Sequence, residues 1–355
     1  MSCTAAHSTS LQRLVSSPQS VGLVIYKVGD EANGIYLNAD RQMPLASLSK
    51  LIHLAAYAEA VGQGRLNPLT TVPVADLDAM YLPRLDLGGH SRALSELVEN
   101  DKVFGEPPAI SLQEIPWMMI RHSSNAATDY LHLLLGQETI EATAVSLGLS
   151  SQTAPCPWVG QFLTMSNHVR SGSDRAALED YVADPGSYGR DVMLLTDAYV
   201  NDEDFRAAAR NRISSTRLPS VETQRYFGHT LNAQGSPRDY AGLMARFAQN
   251  GLSNADSSFI ARKYLEWPMI FPDNQQYFSN LGYKNGSLPG ILTTAYYAYL
   301  QGETTPIVLA LFYQDLPGRT YQEWRRNLPH DEFARWLLYE PAALPALRAA
   351  LNLDQ

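Results

Sequence analysis

The stretch Pro44-Leu45-Ala46-Ser47-Leu48-Ser49-Lys50-Leu51-Ile52-His53-Leu54-Ala55-Ala56-Tyr57 decides how this chain is read. It places a serine at the mouth of an apolar helix, expected over about Ser47 to Val61 and closed by Gly62-Gln63-Gly64, with a lysine three residues beyond the serine. Side chains at i and i+3 share a helix face, so Lys50 is within reach of the Ser47 hydroxyl. The helix N-terminus adds unpaired N–H groups and partial positive charge. A neighbouring base and donors for a developing oxyanion are what activate a weak nucleophile. Taken alone, the same residues also read as a capping serine followed by a surface lysine.

Composition narrows the function classes. The 355 residues are 45% hydrophobic and 18% charged, which is the balance of a compact protein with a full core, in one large or two closely joined domains. A net charge of −9 argues against nucleic acid or an anionic membrane as partner and leaves a small molecule or short peptide. Cys3 and Cys156 do not make a disulfide framework. Met1 to Gln19 has no cationic start followed by an apolar run, so neither a secretory signal nor a membrane span is expected, and the chain is placed in the cytoplasm unless a leader has been removed.

Outward from the central helix, Leu11 to Val15 reads as a short helix. Val21 to Val28 and Ile35 to Leu37 read as a hairpin punctuated by Gly29-Asp30 and Asn33-Gly34. Arg65 to Pro108 is irregular, with a polar loop through Gly88-Gly89-His90. Ser111-Leu112-Gln113-Glu114 has the form of a capping box for a helix through Ile120. That helix breaks at His122-Ser123-Ser124-Asn125, and new helices run Ala126 to Leu135 and about Glu138 to Leu147. Thr153 to Phe162 reads as loop, and Asp174 to Val182 and Val192 to Arg210 as helices. Ser236-Pro237-Arg238-Asp239 caps an amphipathic helix over Tyr240 to Gln249. Leu281 to Ser287, Ile291 to Leu300 and Thr305 to Tyr313 are three strands, followed by a helix over Tyr321 to Tyr339 that Pro329 kinks or breaks. The pattern predicts an α+β fold: a five-stranded antiparallel sheet built from both chain ends and flanked by helices, residues 1–40 plus 225–355, with an all-helical domain inserted over 41–224. The active site is expected where the two meet.

Three elements stand in order: Ser47-Leu48-Ser49-Lys50, Ser123-Ser124-Asn125 at a break between helices, and Lys284-Asn285-Gly286-Ser287 on a strand. The chain has only five lysines, Lys27, Lys50, Lys102, Lys263 and Lys284, and two of them fall in these motifs. On these residues the sequence resembles the serine β-lactamase and penicillin-binding-protein superfamily, closest to class A, whose signature is Ser-x-x-Lys, Ser-Asp-Asn and Lys-Thr-Gly in that order. The resemblance implies that Ser47 is acylated and that Lys50 accepts or relays its proton. It further implies that Ser123 protonates the leaving group, that Asn125 holds the substrate amide, and that Lys284 supplies positive charge. The backbone N–H groups of Ser47 and Ser287 form the implied oxyanion hole, with Asn285 and Gly286 lining the substrate strand. No cofactor or metal is called for.

The sequence departs from that signature in three places. Ser124 replaces the Asp of the middle motif. Asn285 replaces the Thr or Ser whose hydroxyl helps to grip a substrate carboxylate, and its amide donates with a different reach. No Glu-x-x-Leu-Asn segment, whose Glu activates the deacylating water in class A, occurs between residues 150 and 235; Glu179, Asp180 and Glu222 are candidates by position only. His53 reads as packed, His122 as a neighbour that shapes the pocket, and His90, His122 and His168 lack metal-ligand spacing. Tyr81, Trp158 and Tyr283 are pocket-wall or core aromatics. The expected function is a serine acyl-enzyme hydrolase acting on an amide, β-lactam or ester. The alternatives are a cytoplasmic esterase or acyltransferase of a biosynthetic pathway, and a non-catalytic ligand-binding sensor of the same fold.

Overall fold

A computed structural model describes residues 5–215 and 218–353; Cys3 lies outside the described residues. The chain forms two compact units, one comprising the residues up to Leu48 with 145–153 and 234 onwards, the other 49–144 with 154–233.

Apolar runs rich in β-branched and aromatic residues build the first unit. Its strands are β1 (Val21–Lys27), β2 (Ile35–Leu37), β3 (Phe278–Leu288), β4 (Ile291–Leu300) and β5 (Ile307–Tyr313). They form one antiparallel sheet in the order β2-β1-β5-β4-β3. The first strand of the chain therefore pairs with the last, from Val21 opposite Tyr313 to Lys27 opposite Ile307. Leu23, Ile25, Leu281, Leu292, Leu309 and Leu311 point to one face. There they share a core with Leu14, Trp324, Phe333 and Leu337 of the helices Ala5–Ser16, Gly318–Asn327 and Pro329–Tyr339. The other face packs on the helix Pro237–Ala248, where Tyr240 meets Phe312 edge-on with ring centroids 6.0 Å apart. Because both faces are covered, the strands read as nearly unbroken apolar runs, and each fully buried large side chain contributes about 1.5–3 kcal/mol.

The five strands, the hairpin and the Ser236 cap agree with the sequence reading; Ser236 Oγ accepts from Asp239 N at 3.1 Å. At Pro329 the expected helix is broken in two, with Leu328 at φ 49° between the pieces.

The second unit is helical apart from a short pair, Thr71–Pro73 with Ala109–Ser111. Three local expectations are corrected here. Gly88-Gly89-His90 is not a loop but the start of the helix Gly89–Glu99, because the Asp86 carboxylate accepts from the N–H groups of Gly88 (3.0 Å) and His90 (2.7 Å). Ser111 is not a helix cap but the end of a strand; the helix begins at Glu114 without a side-chain cap. Thr153 to Phe162 is not all loop, since Trp158–Met165 is a helix whose eight residues are all buried. Its first N–H groups are capped from another helix: Asp129 Oδ1 accepts from Trp158 N at 2.6 Å and Oδ2 from Val159 N at 2.8 Å. Gly160 lets this helix approach its neighbour, since a Cβ there would lie 2.2 Å from the Val192 carbonyl oxygen. Among the described residues no helix is long and apolar enough to cross a membrane.

Asp129→Asn tests the cross-helix cap. An amide has one acceptor oxygen for two buried N–H donors and turns its NH₂ towards the second, so the variant should lose about 1–3 kcal/mol of stability. Urea unfolding measures it, and an unchanged midpoint would show that the carboxylate does not hold this helix.

Candidate active site

The first unit holds Ser47, Lys284, Asn285, Gly286 and Ser287; the second holds Lys50, Ser123 and Asn125.

Ser47 sits in a single 3₁₀ turn, Ala46–Ser49, immediately before the helix Lys50–Gly62, so the α-helix begins three residues later than the sequence suggests. Ala46, at φ 50°, holds a backbone conformation that a residue with a Cβ adopts only at a cost of about 1–3 kcal/mol. The turn is tied to the sheet by the Thr293 hydroxyl, which donates to the Leu45 carbonyl at 2.8 Å. Opposite Thr293 in the β3–β4 register stands Gly286. A Cβ on Gly286 would lie 2.6 Å from the Leu45 carbonyl oxygen and 2.7 Å from the Ser47 nitrogen, so glycine is what lets β3 run against the Ser47 amide.

Along β3, Lys284 and Gly286 share one face, and Tyr283, Asn285 and Ser287 the other. Lys284 is 1% exposed and its Nζ donates to the Asn285 carbonyl at 2.8 Å. Burial pushes its pKa down to about 7, against an opposing pull from Asp331. On the reverse face the Asn285 amide donates to Asp331 Oδ2 at 3.2 Å, the Tyr283 hydroxyl donates to the same oxygen at 2.7 Å, and Ser287 Oγ pairs with Tyr321 Oη at 2.9 Å. The amide that replaces the carboxylate-gripping hydroxyl is thus directed towards a carboxylate of the protein.

In the second unit Lys50 is fully buried. Its Nζ donates to Ser123 O (2.6 Å), Ser123 Oγ (3.2 Å) and Asn125 Oδ1 (2.7 Å), and lies 5.3 Å from the centre of the Trp158 ring. Ser123, at φ 58°, is the second left-handed residue among the motifs. The break between helices that exposes Ser123 to Lys50 is closed by Ser124, which caps Asn125–Leu135 by accepting from Ala127 N at 3.2 Å. Ser124 also meets His90 Nδ1 at 3.2 Å, while His90 Nε2 meets Asp78 at 3.0 Å and Tyr81 stacks on the ring. A serine in place of the family's aspartate therefore still holds a buried partner.

His122 Nε2 pairs with Glu96 at 2.8 Å, and Glu96 also holds Arg121 at 3.0 Å. His53 is packed as expected, its Nε2 3.0 Å from His132 Nδ1, and His132 Nε2 is 2.7 Å from Gln137 Oε1. Burial pushes both rings down, His132 to about 4, so the pair stays neutral at pH 7. Burial also raises the Cys156 thiol to about 11, which removes it as a nucleophile.

Glu179, Asp180 and Glu222 are exposed, and Glu179 is engaged by Arg175 at 2.7 Å. The sequence reading passed over Asp129. It is 1% exposed, one turn beyond Asn125 on the same helix, and burial raises its carboxyl to about 7 against the two N–H bonds and the Lys50 charge. Its signal was present in the i, i+4 spacing from Asn125. Asp331 and Thr293 gave no such signal, since their roles arise only from the packing of the helix Pro329–Tyr339 on the sheet and from strand register. No group of three His, Cys, Asp or Glu among the described residues is placed to hold a metal ion.

Lys284 makes a signed prediction. A buried lysine shifted from the ordinary 10.5 down to about 7 weakens the fold while it is charged. That penalty is full below pH 7, declines as pH rises, and vanishes above the unfolded value. Lys284→Met should therefore raise the urea midpoint most at about pH 6 and little at about pH 10. An equal gain at both would show that Lys284 keeps its normal affinity for the proton.

Against known proteins, residues 7–328 match the family described as the beta-lactamase enzyme family. No curated protein sequence matches. Among solved structures, the chain is similar to a beta-lactamase from Sphaerobacter thermophilus at 16% identity, covering 96% of this chain and 97% of that one with a TM-score of 0.53. It is similar to a beta lactamase from Burkholderia vietnamiensis at 14% identity, covering 94% and 97% with a TM-score of 0.53. It is also similar to a mutant of PBP-A in an acyl-enzyme complex with penicillin G, at 15% identity over 93% and 96% with a TM-score of 0.51. These likenesses carry the fold, and the match over residues 7–328 carries the family: the chain belongs to the beta-lactamase enzyme family, within the serine β-lactamase and penicillin-binding-protein superfamily.

Proposed function

We propose that the chain is a serine hydrolase that forms an acyl-enzyme on Ser47 and cleaves an amide, β-lactam or ester bond. The observation that carries this reading is the buried Lys50 amine, three residues beyond Ser47 and held by Ser123 and Asn125. In the proposed reaction Lys50, as the neutral amine, takes the Ser47 proton, and Ser47 Oγ attacks the carbonyl carbon. An ammonium donates three hydrogens and has no acceptor, so the resting contacts with Ser123 and Asn125 must loosen by one for this to happen. The N–H groups of Ser47 and Ser287 receive the oxyanion; one such donor is worth about 3–4 kcal/mol in the transition state. Collapse breaks the bond to the leaving group, which takes a proton through Ser123, and Lys284 supplies positive charge to that step. Water or another acceptor then releases the acyl group.

The second half-reaction favours the acyltransferase or slow-esterase form of this reading. Beside Lys50 stands the Trp158 ring, and the nearby Asp129 carboxylate is committed to two backbone N–H groups. The three carboxylates considered as water-activating bases are all solvated. The Asn285–Asp331 contact also counts against a substrate held by its own carboxylate at this strand, as a penicillin would be.

Ser47→Ala should abolish any covalent adduct, and Lys50→Ala should slow acylation by about 10²- to 10⁴-fold. Intact-protein mass after incubation with a chromogenic cephalosporin and short-chain nitrophenyl esters measures both. An adduct that persists in Ser47→Ala would sink the nucleophile assignment, and no adduct with any probe would favour a ligand-binding sensor.

Without a base for the water, acylation should outrun hydrolysis by about 10²- to 10⁴-fold. Stopped-flow mixing with excess activated ester should then show a burst near one equivalent and a slow steady state that an added alcohol or amine accelerates. A progress curve linear from the first turnover, with no adduct, would show that a working base exists.

A further inference from the structure

The reverse face of β3 carries a cavity that the acyl chemistry does not use. It has a volume of about 260 Å³, the size for a small ligand or one group of a larger one. Its wall is a run of aromatic rings in mutual contact: Tyr296 stacks on Tyr283 at 4.6 Å, Trp267 meets Tyr283 at 5.8 Å, and Phe271 stands edge-on to Trp267 at 6.1 Å. Tyr283 and Tyr296 are opposed across the β3–β4 register, so the sheet itself fixes one ring against the other.

The cavity is also acidic. Asp331, 7% exposed, lines it together with Glu332. Asp331 Oδ2 receives the Tyr283 hydroxyl and the Asn285 amide, but Oδ1 receives no hydrogen bond. His330 Nε2 is 3.8 Å from Oδ1, and burial pushes that histidine down, so it brings no charge near neutral pH. One cation lines the cavity, Arg335, and its guanidinium is engaged by Asn274 Oδ1 at 2.8 Å. A buried carboxylate with an unused oxygen calls for a positive partner. Aromatic faces attract a cation that is too weakly hydrated to resist leaving water, which is the property of an alkylated ammonium.

We propose that this cavity binds a small organic ammonium group through the Tyr283, Tyr296 and Trp267 rings and the Asp331 carboxylate. The site lies within the sheet unit, on the face of β3 opposite Lys284 and Gly286, and its occupation would be felt at Asn285 through the shared Asp331. It does not depend on Ser47 being acylated.

Isothermal titration of the whole 355-residue chain with tetramethylammonium, tert-butanol and pivalate tests this directly, since the three share a compact methylated shape and differ in charge. Tetramethylammonium should bind saturably and about tenfold or more tighter than the neutral and anionic probes, and Asp331→Asn should remove that preference. Equal affinity for all three, preference for pivalate, or no saturable binding to the folded protein would overturn the proposal, as would an unchanged affinity in folded Asp331→Asn. Should that variant fail to fold, Trp267→Leu serves in its place: a loss of about tenfold is expected for tetramethylammonium, and an unchanged affinity would overturn the proposal. None of the probes has a bond that can be cleaved, so failure here would leave the acyl-enzyme reading standing, and failure of that reading would leave this one.

Discussion

A lysine amine removed from water has to be met by acceptors, and the arrangement around Lys50 answers that demand. Ser123 and Asn125 reach it because the chain leaves one helix at His122, passes through a left-handed residue at Ser123, and begins the next helix under a Ser124 cap. One turn further along that helix, Asp129 turns its carboxylate to the first two N–H groups of the helix Trp158–Met165. That places the Trp158 ring back over the Lys50 amine. The interactions close on themselves, so each member fixes the orientation of the next. Removing one charge or acceptor from such a buried set costs more than the single contact, because its partners are left without water.

β3 plays the corresponding part in the sheet unit. Its alternation turns Lys284 and Gly286 to one side and Tyr283, Asn285 and Ser287 to the other, and no choice of rotamer can exchange the two sets. Gly286 has to be without a side chain because the Ser47 backbone occupies the space. On the opposite side Asp331 gathers the Tyr283 hydroxyl and the Asn285 amide. The exchange of a hydroxyl for an amide at residue 285 therefore changes what the strand asks of its surroundings: the amide, which has a donor to place, has an acidic partner on the helix Pro329–Tyr339.

The two motif lysines, one in each unit, are held differently. Lys284 is held in a setting that weakens its ammonium, and Lys50 in one that surrounds it with acceptors, so the two lysines differ in their environment more than in their sequence context. Burial lowers the pKa of the first, against the pull of Asp331. The second donates to three oxygen acceptors, Ser123 O, Ser123 Oγ and Asn125 Oδ1.

The order and spacing of Ser47-x-x-Lys50, Ser123-Ser124-Asn125 and Lys284-Asn285-Gly286 were enough to indicate the superfamily, and the turn-bounded apolar runs of β1, β4 and β5 were enough to indicate an antiparallel sheet made from both chain ends. Those signals are local, and local rules of helix face, turn and strand period govern them. What the sequence alone did not contain were interactions between residues far apart along it. Thr153 to Phe162 reads as loop because the cap of the helix Trp158–Met165, Asp129, sits on another helix. Gly89–Glu99 was missed because its cap, Asp86, lies outside the residues normally scanned for one. The engagement of Asn285 by Asp331 and the tie from Thr293 to Leu45 depend on strand register and helix packing, which bring together groups dozens to hundreds of residues apart. Only the tertiary structure could decide those, because a buried donor takes whichever acceptor the packed chain brings within reach.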